Sequence, residues 1–242
     1  MLIDVHCHIL PGLDDGATNY EQSLRMLQMA QEQGIRKIIA TPHYTPRHKC
    51  ASPDTVRKKA DELQAAADQR GIDIRIYAGN EIFYHAEVPD LLEDGKILTL
   101  ADSDIALLEF SPAVDATYVR NAVSEVQSAG FEVMIAHVER YDNLFHGKNL
   151  DKIKELHDMG ALLQVNTTSL TGGMGSSVKR QVKRMLTEQL IDVLGTDAHD
   201  TDMRAPQFTD CFRSVLKNCP DDYVQRICYE NANLYTIEKS LE

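Results

Sequence analysis

Short apolar runs alternate with amphipathic stretches along most of the chain. The first run spans residues 3–8, and the stretch behind it places Tyr20, Leu24 and Leu27 three or four positions apart. Apolar runs of four to eight residues are typical of buried parallel strands, whereas the three-to-four spacing is typical of a helix with one apolar face. The alternation therefore predicts strand–helix units built on a parallel sheet.

Seven such units precede the closing helices. The predicted strands lie at residues 3–8, 37–40, 72–78, 105–108, 133–136, 162–165 and 191–195. The predicted helices begin at a Thr18/Glu21 capping box, at Ser52-Pro53 and at Asp115 or Thr117, and others cover residues 149–159, 178–186, 206–218 and 220–237. We expect loop and a short hairpin over residues 83–104, and a Gly-rich mobile flap over residues 171–177.

Units of this kind favour an α/β barrel over an open doubly wound sheet. Polar residues follow the predicted strands one after another, which is where barrel enzymes carry their chemistry, whereas an open sheet concentrates such residues at one switch point. A chain of 242 residues is long enough to bury one large core. We therefore expect a single domain over residues 1–242.

Net charge and the length of the apolar runs argue against two classes of protein, nucleic-acid binders and membrane-spanning proteins. The net charge of −12 argues against a nucleic-acid partner, because nucleic-acid binders normally carry a basic surface. No apolar run approaches the roughly 18 residues that span a bilayer, and the first residues do not look like a signal segment. We expect a cytoplasmic protein without membrane insertion.

The five cysteines indicate reduced thiols, because their number is odd and no CxxC pair occurs. A cysteine-dependent phosphatase needs its thiolate and an arginine in one short phosphate loop. The nearest candidates, residues 50–57 and 219–226, lack a Gly-rich cradle. If the chain cleaves phosphate esters, cysteine is not the nucleophile.

Imidazole and carboxylate side chains collect at the carboxyl ends of the predicted strands. His6 and His8 point to the same side of their strand because side chains alternate, and the turn at residues 11–16 lets Asp14 fold back over them. The candidate metal ligands are His6, His8, Asp14, His43, Glu81, Glu109, His137, Asp197 and His199. One ion uses about three to six ligands, so this set predicts two or three metals.

Such a site predicts hydrolysis of a phosphate ester. Adjacent divalent ions share a bridging water, lower its pKa and neutralise phosphate oxygens, so that the bridging hydroxide can attack phosphorus. Arg140 and Arg204 are candidate catalytic and substrate-binding residues, because guanidinium holds phosphate through two parallel hydrogen bonds. Glu139 is either a further ligand or, as we favour, a salt-bridge partner of Arg140. The non-enzymatic alternative is a regulatory module with a structural metal site.

The motifs resemble the series of the PHP (polymerase and histidinol phosphatase) superfamily. They are IDVHCHILPGLDDG, ATPHY, GNEI, LLEF, AHVERY and TDAH. More narrowly, the chain is similar to the manganese-dependent bacterial protein-tyrosine phosphatases of capsule and exopolysaccharide loci, the CpsB/YwqE-like group, from residue 3 to about residue 204. Val138 and Thr196 stand where that family usually has Pro and Ser, which affects the loop geometry around Arg140.

The resemblance implies a distorted (β/α)7 TIM-like barrel with a trinuclear Mn2+ cluster, in which Fe, Zn, Co or Mg could substitute. By this analogy the ligands of the three metals are His6, His8, Glu81 and Asp197; Glu81, Glu109 and His137; and Asp14, His43 and His199. Glu81 is then the bridging ligand.

The implied reaction is hydrolysis of phosphotyrosine, on an autophosphorylated bacterial tyrosine kinase that controls capsule or exopolysaccharide synthesis. The closest alternative is a PHP-type small-molecule phosphatase that acts on a substrate such as histidinol phosphate. An amidohydrolase would place a ligand lysine at a middle strand end, where this chain has Glu81 and Glu109. A TatD-like nuclease would surround its site with basic residues, whereas this chain is acidic.

Overall fold

The computed structural model describes residues 1–46, 48–145 and 149–234, and within these ranges the paired strands run parallel. The strands are β1 (Leu2–Cys7), β2 (Ile35–Ala40), β3 (His43–Tyr44), β4 (Arg75–Ala78), β5 (Glu81–Phe83), β6 (Ile105–Glu109), β7 (Glu132–Ile135), β8 (Leu162–Asn166) and β9 (Val193–Gly195).

These strands form one curled sheet with seven positions. One part has the order β1-β2-β4 and the other the order β3-β5-β6-β7-β8-β9. Two-residue breaks separate β2 from β3 and β4 from β5, so each pair serves as one position. The curl closes where Cys7 pairs with Ala198, and there the His8 N–H donates to the Ala198 carbonyl at 2.8 Å. The predicted α/β fold of seven strand–helix units is confirmed.

Helices follow the strands and cover the outside of the curl. They are α1 (Tyr20–Glu32), α2 (Pro53–Gln69), α3 (Val88–Glu93), α4 (Ala116–Ser128), α5 (Asp151–Asp158), α6 (Thr167–Thr171), α7 (Gly175–Thr187), α8 (Thr209–Asn218) and α9 (Asp221–Gln225). Shorter helical turns lie at Leu100–Asp102, Val138–Arg140, Asp142–Leu144 and Arg226–Glu230. Among the described residues, no helix combines the length and the apolar character needed to cross a bilayer.

The predicted capping box of α1 is wrong. The residue that caps the helix is Asn19, whose side chain accepts a hydrogen bond from the Gln22 N–H at 3.0 Å. Thr18 lies one residue too early and bonds the Gln22 side chain instead. The Ser52 cap of α2 is confirmed.

Three other segments differ from the prediction. Residues 83–104 contain α3 and a short turn rather than a hairpin; a six-residue helix that buries only Val88 and Leu92 is too short to show a clear stripe. The predicted loop at residues 171–177 is shorter, because α6 ends at Thr171 and α7 begins at Gly175. The predicted closing helix at residues 220–237 is divided into α9 and a π-helical turn, and its last three residues lie outside the described part.

Apolar side chains pack on both faces of the sheet. The face toward the helices contributes residues such as Ile38 and Ile135 to the main core. A second, smaller core contains Ile39 from β2, Leu107 from β6 and Met134 from β7, and all three side chains are fully buried. Burying one such side chain stabilises the fold by about 1.5–3 kcal/mol. Packing on both faces leaves the carboxyl ends of the strands as the place for polar groups.

Candidate metal centre

A bulge in β1 presents the first two histidines. Asp4 pairs with Ile38 but Cys7 pairs with Ala40, so one residue of β1 is extra. The buried Asp4 carboxylate bonds the backbone around this bulge: it accepts from the His6 N–H at 3.3 Å and from the Thr196 N–H at 2.8 Å. Asp4 thereby ties the strand that carries His6 to the segment that leads into Asp197.

The loop after β1 folds back over His8, as the sequence predicted. The Ala17 N–H donates to the His8 carbonyl at 3.0 Å. A Cβ atom on Gly16 would lie 2.1 Å from that carbonyl oxygen, so only glycine permits this approach. The fold-back brings Asp14 and Asp15 to the histidines.

Four buried side chains form what we call the inner group: His6, His8, Glu81 and Asp197. The Nε2 atoms of His6 and His8 are 3.1 Å apart, and each lies 3.1 Å from Glu81 Oε2. Asp197 Oδ1 lies 3.6 and 3.5 Å from the same two nitrogens. Ligands at about 2.1 Å from one ion are separated by about 3.0–3.4 Å, so this arrangement fits a divalent metal.

Glu81 connects the inner group to a middle group that contains Glu109, His43 and His137. His137 Nε2 lies 2.7 Å from Glu81 Oε1 and 3.8 Å from Glu109 Oε1. His43 Nδ1 lies 3.1 Å from Glu81 Oε2 and 3.6 Å from Glu109 Oε2. Glu81 is completely buried, and its Oε2 has no hydrogen-bond donor among the described residues. An oxygen in that setting fits a metal ligand.

The outer group contains Asp15, His43 and His199, and here the predicted Asp14 is replaced by its neighbour. Asp15 Oδ1 lies 3.4 Å from His43 Nε2 and 3.5 Å from His199 Nε2. Both Asp14 oxygens are already engaged, since Oδ2 faces His8 Nδ1 at 2.7 Å and Oδ1 accepts from the Gly16 N–H at 2.9 Å. Asp14 therefore faces the second ring nitrogen of His8, and Asp15 is the carboxylate that lies between His43 and His199.

Hydrogen bonds to the second ring nitrogens aim three imidazoles at the site. His6 Nδ1 bonds Gln164 Oε1 at 3.2 Å, and His199 Nδ1 bonds the Asp197 carbonyl at 2.9 Å. Together with Asp14 on His8 Nδ1, these bonds turn the Nε2 of each ring toward the site. Hydrogen bonds to the ring nitrogen that does not face the metal orient metal-binding histidines in this way. The Nε2 of His199 is buried without a partner among the described residues.

Sequence reasoning missed Gln164, although a polar residue within a predicted apolar strand is a signal. Gln164 also accepts from the His137 N–H at 2.6 Å. A Cβ atom on Gly195 would lie 2.9 Å from both Gln164 Nε2 and His6 Cβ, so glycine leaves the space that both side chains occupy.

Backbone strain accompanies two of the candidate ligands. His137 has φ of 31° and Asp197 has φ of 51°, values that side-chain-bearing residues rarely adopt. Such conformations cost about 1–3 kcal/mol each and persist where the surroundings impose them, often at functional sites.

Two arginines contact the Asp197 carboxylate, one at each of its oxygens. Arg140 contacts Asp197 Oδ2 at 2.6 Å, and Arg204 contacts Asp197 Oδ1 at 3.0 Å. The Asn166 side-chain amide donates to the same Oδ2 at 2.8 Å. Arg140 and Arg204 are 26% and 39% exposed, so each guanidinium is held at the site and still reaches solvent.

Glu139 occupies neither of its predicted roles. Its carboxylate is fully buried and accepts from the Asn166 N–H at 3.0 Å, outside the three ligand groups. The salt-bridge partner of Arg140 is Asp197. Glu139 thus ties the Val138–Arg140 turn to the end of β8.

Crowded charges shift several pKa values. Burial, together with the nearby Glu81 carboxylate, raises the pKa of Glu109 to about 8. Burial opposes a charge on His8, but the adjacent carboxylates of Asp14 and Glu81 outweigh it and raise the His8 pKa to about 10. Burial and the nearby His8 lower the pKa of His199 to about 4. Divalent cations bind carboxylates that otherwise repel one another, and they bind imidazole in its neutral form.

Comparisons with known proteins identify the family of this chain. The family model for capsular polysaccharide synthesis, CpsB/CapC, matches residues 2–236. The tyrosine-protein phosphatase YwqE of Bacillus subtilis (strain 168) is 34% identical over 203 residues, which cover 84% of this chain and 79% of that protein.

Solved structures extend the likeness. One chain from the crystal structures of YwqE from Bacillus subtilis and CpsB from Streptococcus pneumoniae, described as metal-dependent tyrosine phosphatases, matches with a TM-score of 0.86 and 31% identity, over 92% of this chain and 90% of that one. Histidinol phosphate phosphatase from Lactococcus lactis, solved with zinc, L-histidinol and phosphate, matches with a TM-score of 0.56 and 14% identity, over 89% and 92%. At that identity the match shows the fold alone. The chain belongs to the CpsB/CapC family of capsular polysaccharide synthesis.

Proposed function

We propose that this protein is a metal-dependent protein-tyrosine phosphatase. The observation that carries the proposal is the pair of partly exposed arginines that flank Asp197, directly beside metal-ligand geometry. YwqE and CpsB, the proteins of the matching crystal structures, are described as tyrosine phosphatases that depend on metal. A phosphate-binding pair next to a metal centre is the arrangement that phosphoester hydrolysis requires.

The residues divide the metal-binding work. His6, His8 and Asp197 would hold one ion, Glu109 and His137 would hold a second, and Glu81 would contribute to both. Asp15, His43 and His199 would hold a third. Manganese, at two to three ions per chain, suits a donor set that mixes imidazole with carboxylate oxygen. When bound, such ions lower the pKa of water and neutralise charge on phosphate oxygens.

The chain's own residues position the substrate. Arg140 and Arg204 donate hydrogen bonds to the non-bridging phosphate oxygens, and Asp197 holds both guanidinium groups in advance. Preorganised donors of this kind stabilise charge in the transition state without reorganising during the reaction. Asn166 fixes Asp197 in turn, so the orientation of the clamp depends on the end of β8.

Side-chain exposure increases from the interior of the site to its rim. The side chains of His6 and His8 are 0% exposed, whereas those of Glu109 and Arg140 are 22% and 26% exposed. A phosphate on a protein side chain can therefore enter from the rim. Membership in a capsule-synthesis family supports an autophosphorylated bacterial tyrosine kinase, and its tyrosine-rich tail, as the natural substrate.

We also propose that the protein acts in the cytoplasm. Its five cysteines are free thiols, three of them buried, which suits a reducing compartment.

Phosphate release from three substrates tests the reaction. Chelated protein should be inactive on a phosphotyrosine peptide, and added Mn2+ should restore activity. The kcat/KM for the peptide should exceed that for histidinol phosphate, with p-nitrophenyl phosphate as a common reference. A preference for histidinol phosphate, or full activity after chelation, would contradict the proposal.

A further inference from the structure

The chain's charge is unevenly distributed along its sequence. All 37 Asp and Glu residues lie outside residues 159–187, a stretch that carries Lys179, Arg180, Lys183 and Arg184. The whole chain has a net charge of −12. This stretch is therefore a basic island in an acidic protein.

The island contains β8, α6 and α7, and its four basic residues all lie in α7, beside the candidate phosphate clamp. α6 begins directly after β8, and the Lys179 Nζ donates to the Thr171 carbonyl at 2.9 Å, which ties α7 to the end of α6. α7 packs against the Val138–Arg140 turn. The helical part of the island thus starts at the same end of the barrel as the metal centre.

The basic side chains lie on the solvent side of α7. Val182, Met185 and Leu186 are buried against the protein, whereas Arg180 and Lys183 are exposed. Met174, at the start of α7, is 47% exposed. We call Arg180, Lys183 and the α7 surface between them the basic face.

Exposed basic residues elsewhere commonly have acidic partners. Arg57 pairs with Asp102 at 2.7 Å, and Arg226 pairs with Asp222 at 2.7 Å. Across the described ranges, Arg180 and Lys183 form no ion pair. No carboxylate in the described part of the chain pairs with either charge, so an anionic partner can use both of them.

We propose that the basic face docks the anionic segment that flanks the phosphotyrosine of a polypeptide substrate. This inference rests on the proposed phosphatase function, to which it adds a preference for phosphotyrosine that is flanked by anionic residues. Each phosphorylated tyrosine carries a charge of about −1.5 to −2, so a tail with several such residues is strongly anionic. The acidic remainder of the surface repels such a chain, and the basic face attracts it where it emerges from the clamp.

Two phosphotyrosine peptides and two double variants test this docking. The peptides share one central phosphotyrosine and differ only in Asp/Glu or Ser/Gly flanks. The test variant is Arg180→Ser with Lys183→Ser. The matched control, Arg75→Ser with Lys217→Ser, removes the same charge from exposed residues elsewhere, of which Arg75 begins β4 at the opposite end of the barrel.

The wild type should prefer the acidic peptide in kcat/KM, mainly through a lower KM. In the test variant, the ratio of kcat/KM for the acidic peptide to that for the neutral peptide should fall about three- to tenfold, which is the size expected for a few exposed ion pairs. The control variant should keep the wild-type ratio. Raising NaCl from 0.05 to 0.5 M should shrink the wild-type preference, because salt screens exposed charges.

Three results would overturn the docking inference. They are equal wild-type kcat/KM for both peptides, equal losses in the test and control variants, and loss of binding to phosphatidylserine vesicles in the test variant without any change in peptide kinetics. The last result would assign the basic face to a membrane. A wild type that cleaves p-nitrophenyl phosphate but neither peptide would instead overturn the proposed protein-phosphatase function.

Discussion

The inner and outer ligand groups use the same residue types but are built differently. The inner histidines, His6 and His8, come from one strand, are completely buried and have fixed partners on their second ring nitrogens. The outer group depends on Asp15, a loop residue with 63% of its side chain exposed, and on His43, which is 28% exposed. A preorganised, desolvated group should hold its ion tightly, whereas an exposed group should exchange its ion and admit substrate.

Glu81→Gln should have the largest effect, because Glu81 is the carboxylate that faces both the inner and the middle ligands. Removing its charge takes a strong oxygen donor from two cations at once. We expect nearly complete loss of turnover and more metal lost per chain than in Asp15→Asn, measured by elemental analysis. Both proteins should first show a cooperative thermal transition. Equal metal content in the two variants would mean that Glu81 does not bridge.

Arg140→Ala should come next. We expect kcat/KM to fall by about 10²–10³ while metal content stays constant, since loss of one preorganised charge contact typically costs that much. Arg204→Ala is the companion variant and should cost less, because Arg204 is more exposed and its contact with Asp197 is longer. Wild-type kinetics in Arg140→Ala would remove that arginine from the phosphate clamp.

Asp15→Asn should have a smaller effect that excess metal reverses. The exposed outer group loses its carboxylate, so the Mn2+ concentration for half-maximal activity should rise about tenfold or more, with activity recovering at saturating Mn2+. Exposed Asp202 on the 200–204 loop provides the control, as Asp202→Asn. An unchanged Mn2+ requirement in Asp15→Asn would return the outer carboxylate role to Asp14.

The smallest expected effect is a pH-dependent shift in melting temperature. The folded-state pKa of His8 is raised from 6.5 to about 10, and that of Glu109 from 4.5 to about 8. A group whose pKa is raised in the folded state stabilises the fold at pH values below its unfolded-state pKa. That stabilisation is lost as the pH rises through its folded-state pKa. Chelated protein should therefore melt a few degrees lower at pH 9 than at pH 6. Added Mn2+ should flatten this dependence, because the metal replaces the proton on His8. A melting temperature that rises with pH in chelated protein would contradict this account.

Much of the fold could be predicted from the sequence because its signals are local. Apolar runs of strand length alternate with amphipathic helices, and parallel strands place their carboxyl ends at one edge. His6, His8, Glu81 and Asp197 could be named for the same reason, since each follows or ends an apolar run. The basic stretch at residues 159–187 was equally readable as composition, but its position beside Arg140 was not.

Only the tertiary structure decided which groups meet. Asp14 and Asp15 are adjacent and chemically identical, and the fold-back of their loop at Gly16 turns one toward His8 and the other toward His199. Gln164 on β8 acquired its role from the closure of the sheet, which brings it within hydrogen-bond distance of His6 on β1, two strand positions away. The sequence by itself determined which side chains stand at the strand ends, because strand periodicity is a local property of the chain. The closure of the sheet decided their partners, because hydrogen bonds between residues more than a hundred positions apart depend on the global path of the backbone.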